Sequence, residues 1–429
     1  MDDGSFHVSY GWPLTPMRVC ETVMKTLQPD ILIVGAGIAG AAVAAGLRRR
    51  GYSVVHLEAS TQPLDTARGD HLGPRVVETL AEWDILDAFF AAGAEKRLGA
   101  KWLTPEGDVI MHSSMDDLPI PHPYYVVLNH DLIAITALDL AINESNYDYT
   151  LFRPVAARDI ATGADVHGGV SEVNITTPEG EAVCIKPRMT IACDGRSSKI
   201  RAACDFQIVH SYDYEKPFVV LFGPRGELQD PRNEINSYMS PNGSVGRIPR
   251  MGGQWKIGMA INKEDIGRWR ATTSEERKAL LGERAPALGE METEVAGFYP
   301  VIRRETDRWT QGTTVLLGDA CHTIHPARGQ GMNFGIRCAA RLFEFLPEPS
   351  EMTDSALVAK RLADYEAAVK PLTDAQLIEN HERGLHMDST GPERIRAEIP
   401  MLRAIAADPE VNFRYRMTMA GYPDRLDPT

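Results

Sequence analysis

The sequence predicts an α/β fold: a Rossmann-like domain built on a parallel sheet, a second, mostly antiparallel sheet, and a C-terminal helical segment. Three observations support this prediction. A strand, a glycine-rich turn and a helix follow one another from residue 30. From 206 to 261 strand patterns alternate with Gly and Pro. From 356 onward the pattern is helical, with Pro interruptions. A chain of 429 residues is long enough for two or three such units.

The first β-α-β unit carries a nucleotide-binding pattern. The apolar run 31–34 is typical of a buried parallel strand, and it leads into a turn with three glycines: Gly35, Gly37 and Gly40. An Ala-rich helix follows to about residue 50, and a strand over 53–57 ends at Glu58. Glycines at this spacing permit a tight turn, a backbone close to a pyrophosphate and close helix packing. Glu58 lies where a carboxylate meets a ribose hydroxyl. This motif alone does not separate FAD from NAD.

The remaining elements follow from periodicity and turn signals. We expect helices over 74–92, 131–143, 274–284 and 331–346. We expect strands over 149–154, 170–177, 187–193, 218–222, 235–239, 255–261 and 313–317. The structured part is expected to start at Asp30, after a loose N-terminal extension.

A second motif, Asp194-Gly195-Arg196-Ser197-Ser198 with Arg201, follows the predicted strand 187–193. An Asp-Gly turn at a strand end is common, and its alternative interpretation is an ordinary helix N-cap.

A third motif covers 318–333, between the predicted strand 313–317 and the predicted helix 331–346. Gly329 and Gly331, on either side of Gln330, free the backbone to approach a flat ring. The helix behind them directs its positive end at that ring. Asp319, at the strand end, can accept hydrogen bonds from sugar-alcohol hydroxyls.

Composition excludes several classes of function. The net charge of −14 argues against a nucleic-acid groove. No apolar run approaches the roughly 20 residues of a membrane span, and 1–28 lacks the pattern of a signal peptide. Six scattered cysteines without a C-x-x-C pair argue against a metal site or a disulfide scaffold, and favour reduced thiols in a cytoplasm.

The order of the three motifs resembles the single-component FAD-dependent aromatic hydroxylases, the para-hydroxybenzoate hydroxylase-like flavoprotein monooxygenases. The resemblance rests on GxGxxG, D-G-x-x-S-x-x-R and G-D-A-x-H-x-x-x-P-x-x-G-Q-G-x-N. It extends over about 30–371, because Tyr365-Glu366 and Lys370-Pro371 resemble the family's C-terminal helix.

The resemblance implies which residues bind FAD. The ADP half would lie on the first motif, at Gly35, Gly37, Ala39 and Gly40, with Glu58 on the ribose. Asp194, Gly195 and Arg201 would be shared between FAD and the reduced nicotinamide. The flavin half would lie on the third motif: Asp319 on the ribitol, Pro326 beside the ring, and the turn Gly329, Gln330, Gly331, Met332 and Asn333 at the N1–C2 edge. Arg68 and His130 lie at positions of further flavin contacts.

The resemblance also implies the activity. NADPH or NADH reduces FAD, O2 forms a flavin C4a-hydroperoxide, and a small aromatic or electron-rich substrate is hydroxylated or epoxidised, as in biosynthetic tailoring pathways. The expected partners are that small molecule and O2, with no nucleic acid, in a monomer or homodimer. The alternatives are a flavin-dependent halogenase or reductase on the same scaffold, or a non-catalytic FAD-fold carrier.

The resemblance further implies a domain division. It consists of an N-terminal extension (1–28), a discontinuous FAD-binding domain (29–97, 122–205 and 299–346), a substrate domain (98–121 and 206–298) and a C-terminal helical region (347–429).

No side chain need act as a nucleophile. Tyr238 and Arg247 in the second sheet are candidates to bind an anionic substrate. The alternative for both is a solvated strand face. For His322 and His325 we expect packing or backbone hydrogen bonding rather than base catalysis, and for Cys321 and Cys338 buried inert thiols.

Overall fold

The computed structural model describes residues 24–61, 68–226 and 232–423. Its strands are β1 (Lys25–Leu27), β2 (Ile31–Val34), β3 (Val54–Leu57), β4 (His71–Leu72), β5 (Glu95–Arg97), β6 (Gly99–Leu103), β7 (Val109–Ser114), β8 (Tyr125–Val127), β9 (Tyr149–Phe152), β10 (Arg158–Thr162), β11 (Val170–Thr176), β12 (Ala182–Ile185), β13 (Met189–Ala192), β14 (Ile208–Asp213), β15 (Phe218–Pro224), β16 (Ile235–Tyr238), β17 (Val245–Arg250), β18 (Gln254–Ala260), β19 (Glu294–Tyr299), β20 (Ile302–Thr306), β21 (Thr310–Gln311), β22 (Thr314–Leu316) and β23 (His322–Thr323). Its helices are α1 (Ile38–Leu47), α2 (Pro74–Glu82), α3 (Leu86–Ala91), α4 (His130–Glu144), α5 (Lys199–Ala203), α6 (Ile266–Ala271), α7 (Ser274–Arg284), α8 (Gly331–Phe343), α9 (Ser355–Asp388), α10 (Pro392–Ala407) and α11 (Pro409–Ala420).

A parallel sheet in the order β22-β13-β2-β3-β9 confirms the predicted Rossmann-like unit, and β21 adds an antiparallel edge. Every residue of β2, β3 and β13 is buried. One apolar core joins these strands to α1, α4 and α8 and to the strands β11 and β12. The carboxyl ends of β2 and β13 therefore meet at one edge, where nucleotide sites form in such sheets.

The second sheet has seven strands in the order β19-β15-β18-β17-β16-β6-β7. All its pairs are antiparallel except β16 with β6, as the sequence predicted in outline. β17 was not among the predicted strands. One face of the sheet packs on apolar residues of α6 and α7, including Trp269 and Leu281. The alternate side chains of the same strands form the opposite face, which α10 covers in part.

Three expectations need correction. The stretch 206–261 does not form a single sheet, because β14 pairs with β20 in a separate three-stranded sheet. The helix expected over 74–92 is two helices, α2 and α3, separated at Asp84, whose φ is +53°. The structured part starts before Asp30, since β1 pairs in parallel with the edge strand β12. Most of the proposed extension, residues 1–23, lies outside the described residues.

The C-terminal helices complete the molecule. α9 runs for 34 residues through Pro371, and α10 and α11 return across β7. Apolar contacts of Leu402 with Met111 and Met239 bind α10 to the second sheet. Among the described residues, no helix combines the length and apolar character needed to cross a membrane.

Candidate functional site

A cavity of about 800 Å³ lies between the carboxyl edge of the parallel sheet, the second sheet and the C-terminal helices. It is lined by the turns of all three sequence motifs: Gly37, Ile38 and Ala39 from the first, Gly195 and Arg196 from the second, and Asp319, Pro326, Gly329, Gly331 and Met332 from the third. Its volume lies within the range of sites for cofactors and small ligands.

The three glycines of the first motif have different roles. Gly35 has φ +97°, and a Cβ there would lie 2.4 Å from the carbonyl oxygen of Cys193. A Cβ on Gly40 would lie 1.9 Å from the carbonyl oxygen of Gly35, so α1 packs directly on the turn. At Gly37 a Cβ would meet no atom within 4 Å. Gly37 is also the N-cap of α1 and no side chain caps it, so the helix end faces the cavity open.

Two side chains support this turn from the parallel sheet. Glu58 accepts a hydrogen bond from the Ala36 N–H (2.7 Å) with Oε2 and one from Ser60 (2.6 Å) with Oε1. The buried His56 donates from Nε2 to the Gly35 carbonyl (3.0 Å) and accepts at Nδ1 from the Tyr149 hydroxyl (2.8 Å). Burial lowers the pKa of His56 to about 4, so the ring is neutral at pH 7. His56 was not predicted from the sequence. The feature that could have indicated it is a histidine within an apolar strand.

The third motif also combines a crowded glycine with an open glycine at the N-terminus of a helix, here α8. Gly329 has φ +61°, and a Cβ there would lie 2.2 Å from the His71 ring, whereas a Cβ on Gly331 would meet no atom within 4 Å. The N-cap of α8, Gln330, has no side-chain cap. A second open helix end therefore faces the cavity, and such an end favours negative charge.

Asn333 has a structural role that the sequence did not show. Its buried side chain accepts from the Gly73 N–H (2.6 Å) and donates to the carbonyl oxygens of His71 (3.3 Å) and Gly329 (3.1 Å). It thereby holds the segment before α2 against the turn at 329–331.

Asp319 joins the other motifs electrostatically. Its Oδ2 lies 3.2 Å from Arg196 Nε and 4.0 Å from Arg68 Nη1, and all three side chains are partly exposed in the cavity. A Cβ on Gly318 would lie 3.2 Å from the Cβ of Ala39, so the first and third motifs are in contact. His130 also lines the cavity and donates from Nδ1 to the Gly69 carbonyl (2.8 Å).

Two residues of the second motif do not line the cavity. Asp194 Oδ2 accepts from the N–H groups of Lys199 (2.7 Å) and Ile200 (3.3 Å), which is the helix-capping role considered as the alternative. Arg201 donates to the carbonyl oxygens of Ala320 (2.8 Å) and Arg196 (2.6 Å). Arg201 therefore connects Arg196 to the third motif, and Asp194 caps the start of α5.

Tyr238 and Arg247, the candidates for binding an anionic substrate, are not among the residues that line this cavity. Alternate residues of a strand point to opposite faces, and the cavity-lining residues are their neighbours, such as Ser237 and Ile248. Tyr238 is buried in the core beneath the sheet. The Arg247 guanidinium stacks over the rings of Tyr238 (5.7 Å) and Trp255 (4.5 Å).

His322 and His325 do not line the cavity either. His322 is buried between Trp309 and Phe334, and burial lowers its pKa. His325 accepts at Nδ1 from the Ala327 N–H (3.0 Å), and its Nε2 lies 3.2 Å from Asp388 Oδ1. Cys321 and Cys338 are also buried, and burial raises the pKa of the Cys338 thiol to about 11.

A buried ion pair that the sequence did not indicate lies at the cavity. Asp70 lies 2.6 Å from Lys256 Nζ, and Lys256 also donates to the Arg68 carbonyl. Burial raises the pKa of Asp70, while Lys256 and Arg250 oppose that effect. The pair joins the segment before α2 to the central strand β18. No motif marks it.

The far wall of the cavity is polar. Glu398 on α10 lies 3.2 Å from His386 Nε2 on α9 and 3.1 Å from Arg394 Nε, and all three residues line the cavity. None of the three was among the residues predicted from the sequence.

The chain is similar to known proteins in sequence and in fold. The family model described as "FAD binding domain" matches residues 28–376. The chain is 26% identical over 332 residues to 3-demethoxyubiquinol 3-hydroxylase of Escherichia coli K12, covering 75% of this chain and 80% of that protein. It is 29% identical over 338 residues to 12-dehydrotetracycline 5-monooxygenase/anhydrotetracycline 6-monooxygenase of Streptomyces rimosus, covering 74% and 62%.

Among solved structures, p-nitrophenol 4-monooxygenase PnpA from Pseudomonas putida DLL-E4 shares the fold, with a TM-score of 0.76 and 17% identity over 94% of this chain and all of that one. The open glycines and the two uncapped helix ends fit an extended dinucleotide such as FAD. The chain belongs to the FAD-binding family of flavin-dependent aromatic hydroxylases and is an FAD-dependent monooxygenase.

Proposed function

We propose that the protein uses NADPH or NADH and O2 to hydroxylate or epoxidise a small aromatic substrate held between the 329–331 turn and the second sheet. One observation carries the proposal: two open helix ends from distant parts of the chain face the same cavity, which extends to the second sheet, on the face opposite to α6 and α7. The names of relatives that act on 3-demethoxyubiquinol, anhydrotetracycline and p-nitrophenol support an aromatic substrate.

The first motif would hold the ADP half of FAD. Gly37 leaves room for a pyrophosphate at the N-terminus of α1, where unpaired N–H groups and the helix dipole attract phosphate. Each oxygen of Glu58 already accepts one backbone hydrogen bond. A carboxylate oxygen can accept more than one, so Glu58 can also receive a ribose hydroxyl.

The third motif would hold the ring half. When bound, FAD accepts a hydride from the nicotinamide and activates O2. The N-terminus of α8, open at Gly331, would stabilise negative charge on the ring in the manner of an oxyanion hole. Asp319 would accept hydrogen bonds from the ribitol, with Arg196 and Arg68 balancing its charge.

The second sheet and the C-terminal helices would enclose the substrate. Val220 and Ile248 face the cavity from the sheet, and Met401 and Leu402 face it from α10. These apolar side chains would keep water from the oxygen activated on the flavin, which is otherwise released as H2O2.

Stopped-flow reduction and oxygen uptake test the proposal. The purified holoprotein, mixed without O2 with NADPH or NADH and a panel of phenols, quinolones and indoles, should be reduced faster with at least one compound. Readmission of O2 should then yield an oxygenated product. If no compound in the panel accelerates reduction and none is oxygenated, the proposal is wrong.

We also propose that the protein works in a reducing compartment such as the cytoplasm, as a monomer or a homodimer. The five cysteines in the described ranges are free thiols, which supports this assignment. Light scattering after size-exclusion chromatography distinguishes the two assembly states.

A further inference from the structure

Arg97 is a buried cation at the cavity wall. It lies at the end of β5, is 2% exposed and lines the cavity. Its guanidinium stacks 3.7 Å above the Tyr125 ring, and Nη1 donates to the Gly99 carbonyl (3.3 Å). Its Nε is buried without a hydrogen-bond acceptor among the described residues. A stacked guanidinium is fixed in orientation, so its remaining donors are preorganised.

Arg97 differs from the other cations of the cavity in lacking a carboxylate. Each of the others has a carboxylate within 4.0 Å: Arg68 and Arg196 share Asp319, Lys256 has Asp70, Arg383 has Glu379, and Arg394 has Glu398. In the described part of the chain, no carboxylate lies within that distance of Arg97. A buried charge without a counter-ion is costly, and a bound anion offsets that cost.

The buried carboxylate of Glu234 already has three hydrogen-bonding partners. Glu234 lies beside Gly99 and binds Arg232 (2.7 Å), His112 (2.8 Å) and Lys101 (2.9 Å). Burial opposes ionisation of Glu234, but these three hydrogen bonds outweigh it and hold its pKa at about 2. Glu234 therefore makes its direct contacts with other groups and attracts Arg97 only from beyond contact distance.

A second underbonded group lies close by. Ser113 on β7 pairs with Ala100 on β6, is 1% exposed and lines the same cavity. Its Oγ has no hydrogen-bond partner among the described residues. A guanidinium and a hydroxyl together match the two oxygens of a carboxylate.

The position of Arg97 relative to the third motif suits a substrate that also reaches the flavin ring. The His71 ring lies against Gly329, and the Tyr125 ring lies 6.1 Å from His71, edge to face. Arg97 lies on Tyr125. The rings of Tyr125 and His71 therefore lie between Arg97 and the 329–331 turn.

We propose that the substrate is an aromatic acid whose carboxylate binds Arg97 and Ser113 while its ring extends toward the 329–331 turn. This inference rests on the proposed function and names its substrate class. The carboxylate would then bind at the wall of the cavity and not at Arg247, on the far face of the second sheet.

Calorimetric titration of the holoprotein tests the inference with matched probes. Each pair is an aromatic carboxylate and its neutral amide: hydroxybenzoates with hydroxybenzamides, 2-aminobenzoate with 2-aminobenzamide, and hydroxynaphthoates with hydroxynaphthamides. In at least one pair the acid should bind about tenfold or more tightly than the amide, as expected for a charge-assisted contact. Equal binding within every pair overturns the inference.

Variants assign the preference to its residues. Arg97→Gln should weaken acid binding about tenfold or more and leave amide binding unchanged, Arg97→Lys should restore part of the preference, and Ser113→Ala should weaken it about threefold. Arg247→Gln, on the face of the second sheet opposite to Ser113, should behave as wild type. Equal weakening of acid and amide by Arg97→Gln contradicts the inference. If both Arg97 variants fail to fold, the wild-type comparison still decides.

Flavin content and nicotinamide-dependent reduction are measured on the same samples. A holoprotein that holds FAD and is reduced, but shows no acid preference, rejects the inference alone. A protein that holds no FAD rejects the proposed function itself.

Discussion

A substitution at Gly37 distinguishes a glycine that protein packing requires from a glycine that a bound ligand requires. Its φ of −65° is ordinary for any residue, and an added methyl would meet no protein atom within 4 Å. We predict that Gly37→Ala keeps the melting temperature but weakens FAD binding about tenfold or more, because the methyl occupies the place of the pyrophosphate. Fluorescence titration of the apoprotein with FAD measures this.

Gly267 provides the matched control, because a methyl there also meets no atom within 4 Å, in an exposed helix away from the cavity. Gly267→Ala should bind FAD as wild type does. Unchanged affinity in Gly37→Ala would place the pyrophosphate elsewhere.

His56 gives the stability of the parallel sheet a pH dependence. The folded protein keeps the ring neutral down to about pH 4, whereas the unfolded chain takes up a proton near 6.5. The contribution of neutral His56 is therefore complete above pH 6.5 and is lost as the pH falls to 4, by about 3 kcal/mol at most.

Denaturant unfolding at pH 7.5, 6.5, 5.5 and 4.5, of wild type and His56→Gln, checks this prediction. Gln keeps a hydrogen-bonding side chain that does not titrate, so the variant should lose less stability across this range. Parallel curves for the two proteins would show that another group controls the acid transition.

At the scale of elements, Asn333 connects the start of α8 to the segment before α2. We predict that Asn333→Ala lowers the free energy of unfolding by about 3 kcal/mol, because the Gly73 N–H and two carbonyl groups lose buried partners. FAD affinity should fall too, since the 329–331 turn loses its support.

Chemical denaturation monitors the first effect and FAD titration the second. The exposed Asn242, whose amide donates to the Glu283 carbonyl, is the control, and Asn242→Ala should cost about 0.5 kcal/mol or less. A similar cost at both positions would contradict a linking role for Asn333.

The elements that could be predicted from the sequence are those with strong local signals. The run 31–34, the glycines after it and the strand ending at Glu58 specify their conformation within a few residues, and the structure contains all of them. β17 was missed because Gly246 and Pro249 interrupt its apolar alternation.

Side-chain direction in the second sheet could not be predicted in the same way. Which residues of a strand face the cavity depends on the pairing register, and a change of one residue exchanges the two faces. Tyr238 and Arg247 were selected by residue type, and their neighbours Ser237 and Ile248 line the cavity instead. Arg97 and Asp70 lie outside every motif, and only the tertiary structure brings them to the cavity.

At the scale of the whole molecule, the Asp70–Lys256 pair joins the nucleotide-binding half to the second sheet. We predict that Lys256→Met lowers the free energy of unfolding by about 3 kcal/mol, because the buried Asp70 loses its closest cation and keeps Arg250, whose Nε lies 3.7 Å away. The double variant Asp70→Asn/Lys256→Met should recover much of that loss.

A double-mutant cycle by denaturant unfolding measures the coupling. The exposed pair Lys360–Asp364 on α9 serves as the control, with an expected coupling below about 1 kcal/mol. Additive losses at Asp70 and Lys256 would show that the pair does not hold the two halves together.

The central claim is that the two open helix ends bind the two ends of a single FAD molecule. A crystal structure of the protein with FAD tests it most directly. We predict the ribose at Glu58, the pyrophosphate at Gly37 and the isoalloxazine ring against 329–331. A ring bound away from that turn would contradict the account.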